Sequence, residues 1–159
     1  MKRSLIAGLL VVAAAASASA QTATQTVTMQ VDAINLISVA GTPSLTISAA
    51  VAGGAPTSVT STGNTWAVTT NQSNAKITAS IPTTMPTGVT LSANMGAPSG
   101  SGSSAGYLSL GTTAVDLVTG ITKLNETGLS LSYKLDATSA AGVLSSTTRI
   151  VTFTITGGV

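Results

Sequence analysis

Ser73, Asn74, Ala75 and Lys76 stand in the S-x-x-K spacing of serine hydrolases of the penicillin-binding type. There, one helical turn brings a lysine amine to a serine hydroxyl. In this chain the four residues lie in a polar turn that leads into an alternating, strand-like segment. The S-D-N and K-T-G elements that complete such a site are absent. A chance match is the simpler reading in a chain this rich in Ser. The other candidates for acid–base work are the four carboxylates, Asp32, Asp116, Glu126 and Asp136. Glycosidase-type chemistry needs two at a fixed separation, and nothing in their spacing pairs them. They also lack the dense loop of oxygen ligands that calcium takes. The chain has no Cys and no His. That removes disulfides, thiolate nucleophiles, Cys-based metal sites and the imidazole base. The sequence reads as non-enzymatic, with no cofactor and no metal site.

Binding motifs are equally sparse. Asn71-Gln72-Ser73 and Asn125-Glu126-Thr127 fit the N-glycosylation pattern, a frequent coincidence at this Ser/Thr content. Thr-x-Thr runs at Thr22–Thr28 and Thr152–Thr156 could order water on a flat lattice, but no repeat supplies one. Carbohydrate platforms want exposed aromatics. Only Trp66, Tyr107, Tyr133 and Phe153 are present, and alternation turns most of them inward.

The 159 residues carry a formal charge of +2. Lys2 and Arg3 precede an apolar run from Leu5 to Ala16, which ends in Ser17-Ala18-Ser19-Ala20. This pattern predicts a secretory signal peptide over residues 1–20 and a mature domain over 21–159. The run is too short for the ~20 apolar residues of a membrane span. Removing it leaves Lys76, Lys123, Lys134 and Arg149 against the four carboxylates, a balanced chain. Four isolated cations cannot supply the clustered charge that phosphate binding needs, so nucleic acid is excluded as a partner. Of residues 21–159, 18 are Ser and 28 are Thr, and the β-branched Thr suits half-exposed strands.

The elements that must position these residues show a period of two. Alternating segments run over 26–31, 44–47, 65–70, 76–81, 88–92, 107–110, 114–121, 129–135 and 149–156. Gly, Pro and Asn clusters separate them: 41–43, 53–56, 61–64, 71–74, 82–88 and the long 97–104 stretch. Residues 137–144 suit one short helical turn. Nine or ten short strands predict an all-β fold, a single antiparallel β-sandwich of immunoglobulin-like or jelly-roll-like kind. Its inner walls are expected from Val27, Leu45, Trp66, Ile77, Leu91, Leu108, Leu131, Tyr133 and Phe153, with Trp66, Tyr133 and Phe153 as the large core residues.

The segment from Thr22 to Val31 is the most suggestive. It places Val27, Met29 and Val31 on one face. It either pairs within its own sandwich or completes a neighbour's sheet by strand addition. The succession Trp66-Ala67-Val68-Thr69-Thr70-Asn71, then 77–81, Gly120-Ile121, 129–135 and 149–156 resembles bacterial secreted surface β-sandwich proteins. It is similar to the C-terminal half of WxL-type wall-binding domains and to subunits of extracellular fibres, although Trp66 is followed here by Ala67-Val68. The resemblance lies in strand order alone and transfers no functional residue. The expectation is a secreted structural protein of the cell surface or extracellular matrix, a filament subunit that self-assembles through 22–31. The alternatives are a binding module for wall glycan or a surface partner, and a hydrolase using Ser73 and Lys76.

Overall fold

A computed structural model describes residues 19–158. The predicted signal peptide therefore lies almost wholly outside the described residues. The described residues fall into two units, divided between Val31 and Asp32. The second is an antiparallel β-sandwich of nine strands, as expected.

The strands are β1 (Asn35–Ala40), β2 (Val59–Thr70), β3 (Ala75–Ser80), β4 (Val89–Met95), β5 (Ser103–Ser104), β6 (Leu108–Ser109), β7 (Val115–Ile121), β8 (Leu124–Ala137) and β9 (Thr152–Thr156). One sheet has the order β1-β2-β8-β4-β6 and the other β5-β7-β3-β9. A single 3-10 turn, Ser139–Ala141, falls within the 137–144 segment that the sequence marked. No helix among the described residues is long and apolar enough to cross a membrane.

Alternation builds the core directly. In β3, Ala75, Ile77 and Ala79 are fully buried while the residues between them are not. They pack with Trp66 and Val68 of β2, Ala93 and Met95 of β4, Leu117, Val118 and Ile121 of β7, and Leu131 and Tyr133 of β8. Leu91 is buried with them, whereas Leu45, Leu108 and Phe153 are half-buried against the cluster. Trp66 is 1% exposed, and its indole N–H has no hydrogen-bond partner.

Four details differ from the sequence expectation. Residues 26–31 and 44–47 alternate but form no strand. Val27, expected in an inner wall, is 67% exposed. The polar cluster at 61–64 is not a turn. It is a bulge inside β2, where the register against β8 shifts between Ser61 and Asn64. Gly63 supplies a positive φ of 81° there, which glycine adopts without a Cβ clash. Finally, the 97–104 loop contributes β5, and β1 arises in a stretch that strict alternation did not mark.

Candidate functional site

The segment expected to exchange comes first along the chain. Residues 19–34 form no strand. Val27, Met29 and Val31 are 67%, 86% and 82% exposed. Burying such side chains releases roughly 1.5–3 kcal/mol each, so three in a row on one face represent unused apolar surface. Residues 22–31 contain no Lys, Arg, Asp or Glu.

Within the sandwich unit, Asn71 holds the residues just before β1. Its side-chain carbonyl accepts from the Ile34 N–H at 2.8 Å, and its amide donates to the Asp32 carbonyl at 2.7 Å. The Asn71 N–H in turn donates to the Ile34 carbonyl at 3.2 Å. Beside it, Thr70 Oγ1 donates to Asn35 Oδ1 at 2.7 Å, and Asn35 Nδ2 donates to Gln72 Oε1 at 3.0 Å. The sequence marks Asn71 as a turn residue and a glycosylation acceptor, not as a clamp. Its turn position, where Asn side chains bond nearby backbone, was the signal that could have revealed this clamp.

The sandwich has two rims, and they differ. At one, the chain from 98 to 111 crosses between the sheets. β5 pairs with β7 in one sheet, and β6 pairs with β4 in the other. Ser104 Oγ donates to Asn94 Oδ1 at 3.1 Å, joining the two. The Leu110 N–H donates to Leu91 and the Ile81 N–H to Gly111, at 2.8 and 2.9 Å. Leu110 is only 5% exposed as a result.

At the other rim, β1 approaches β9. β1 pairs only with β2, and β9 only with β3, so each has an outer edge with no ladder among the described residues. The inward row weakens here. Ile155 and Phe153 of β9 are half-buried, although their register partners Ile77 and Ala79 are 0% and 1% exposed. Ile37 of β1 is likewise half-buried beside Val68 at 2%. Leu36 and Val39 are 63% and 49% exposed.

The chemical candidates are scattered over this scaffold. Ser73 lies in the turn between β2 and β3. Lys76 Nζ is 3.1 Å from Asp116 Oδ1, an ion pair across β3 and β7. Asp136 accepts from the Ser58 hydroxyl and lies 3.0 Å from Lys134 Nζ. The Ser58 hydrogen bond first, and then Lys134, hold its carboxyl below the ordinary carboxylate range. Glu126 Oε2 accepts the Ser99 N–H at 2.8 Å. Among the described residues no three acidic or other ligating side chains come together. Tyr133 is buried, which pushes its phenol up. A shallow, open depression is lined by Ile34, Thr69, Thr70, Asn71, Lys123, Leu124 and Asn125. No family model, curated protein or solved structure matches this chain.

Proposed function

We propose that this chain is a secreted, non-enzymatic structural protein of the cell surface or extracellular matrix. It assembles into filaments by adding residues 22–31 of one copy as a strand to the sheet of another. One observation carries the reading: Val27, Met29 and Val31 alternate on a segment that forms no strand and leaves all three exposed. Strand addition satisfies both needs of such a segment, since backbone hydrogen bonds supply the affinity and alternate side chains fill pockets. The balanced charge of residues 21–159 removes long-range repulsion between copies.

Deletion of Gln21–Val31 tests this. The expected result is a chain that keeps its β-rich circular dichroism but forms no polymers by electron microscopy or sedimentation. A full-length secreted protein that stays monomeric at high concentration would refute it. The wall-glycan alternative is less favoured, because among the described residues Tyr107 is the one exposed aromatic side chain.

A further inference from the structure

We infer that the acceptor for this strand is the free edge of β9, where Thr22–Val31 of a second copy lies beside Thr152–Thr156 and seals the β1–β9 rim. The inference rests on the strand-addition reading and names its receiving surface.

Four observations select that edge. The first is the missing cover. Phe153 and Ile155 face inward but are half-buried, one strand away from neighbours that are fully buried. A further strand beyond β9 would occupy the place from which cover is missing. The second is the absence of protection. Exposed sheet edges are usually blunted by Lys, Pro, bulges or inward-pointing charges. β9 reads Thr-Phe-Thr-Ile-Thr, with none of these residues, and its register with β3 is unbroken from Lys76–Thr156 to Ser80–Thr152.

The third observation is complementarity of pattern. Val151, Phe153 and Ile155 alternate with Thr152, Thr154 and Thr156. Val27, Met29 and Val31 alternate with Thr26, Thr28 and Gln30 in the same way. Three apolar residues on each strand thus share a period, and neither segment 22–31 nor β9 carries a charge that pairing would have to desolvate. Side chains on one face of paired strands contact one another, so Met29 would cover the Phe153–Ile155 row. The fourth observation is elimination. At the opposite rim, the edge strands β5 and β6 have only two residues each, too short to template a ten-residue segment. The other edge strand of more than two residues, β1, shares its rim with β9. Its row is irregular, with Leu36 and Val39 exposed on either side of half-buried Ile37.

Because the chain contains no cysteine, engineered thiols report the pairing without background. Full-chain variants Thr28→Cys and Thr154→Cys, on the polar faces of the two strands, are mixed and oxidised. The expected result is a disulfide-linked dimer in the mixture at least tenfold above that in either variant alone. Thr152→Cys and Thr156→Cys serve as register neighbours. Cross-links from Thr28→Cys to Ser38→Cys on β1, with none to any of the three β9 positions, would overturn the inference while leaving strand addition standing. Ile155→Lys adds an inward-pointing charge at the edge and should abolish polymers in a protein with wild-type circular dichroism. Polymers undiminished in a folded Ile155→Lys chain would also overturn it. If that variant does not fold, the cross-links decide. Failure of the unmodified protein to assemble would refute the parent reading and this one together.

Discussion

The two rims of the sandwich solve the same problem differently. A sheet that stops must leave backbone groups and half of a hydrophobic row at its edge. At one rim the chain folds back on itself. Residues 98–111 pair with both sheets, and Leu110 reaches core-level burial. At the other rim β1 and β9 have no further ladder partner among the described residues, and Ile37, Phe153 and Ile155 stay half-buried. The difference is one of local resource. The long Gly/Ser-rich crossover supplies a closing strand where it is available, whereas the β1–β9 rim has none within the sandwich unit.

Leu117→Ala is the strongest way to probe the contrast. Leu117 is 0% exposed in β7, beside the sealed rim, and the truncation should cost about 2–5 kcal/mol in denaturant unfolding. The matching change at the open rim, Ile155→Ala, should cost about 1–2 kcal/mol, part of the value for full burial. Equal costs would mean that the rims are equally sealed. Gly102→Ala attacks the seal itself. Gly102 has φ +93°, and a Cβ there would meet Thr119 O at 3.1 Å and Ile121 Cγ1 at 3.2 Å. A loss of about 1–2 kcal/mol is expected from the backbone conformation alone, read as a lower denaturation midpoint. Asn71→Ala releases residues 32–34, which lead into β1. It should cost about 1 kcal/mol and raise hydrogen exchange at the Ile34 amide, with core amides unchanged.

The smallest effect is one of pH. The Asp136 carboxyl is held low by Ser58 and Lys134 in the folded state. Its contribution is complete above the unfolded value near 3.9 and is lost as pH falls through the lower folded value. Asp136→Asn should therefore show a shallower loss of stability below about pH 4, differing from wild type by no more than about 1 kcal/mol at this partly exposed site. Urea midpoints measured from pH 2 to pH 6 would check it.

Much of the sandwich was legible because burial alternates where both faces of a strand differ. Residues 65–70, 76–81 and 129–135 show this, and Trp66 and Tyr133 are buried as their positions predict. β1 was not legible, because Leu36, Ile37, Val39 and Ala40 put apolar side chains on both faces of an edge strand, and the period of two dissolves. Ser61–Asn64 misled for a related reason. Gly and Asn mark a positive φ, and a bulge uses that as readily as a turn does. The exposed row Val27, Met29 and Val31 was visible in the sequence as a pattern. The half-buried row across Phe153 and Ile155 was not, because the incomplete cover of a residue depends on what its neighbouring strand lacks.

Strand order also sets a timetable. β9 pairs only with β3, and every strand from β4 to β8 lies between them in the chain. Pairings so distant in sequence form late, after many loops have closed. A chain emerging N-terminus first presents residues 22–31 long before the β9 edge exists. On the strand-addition proposal, a copy becomes able to receive a strand only once its other eight strands are laid down.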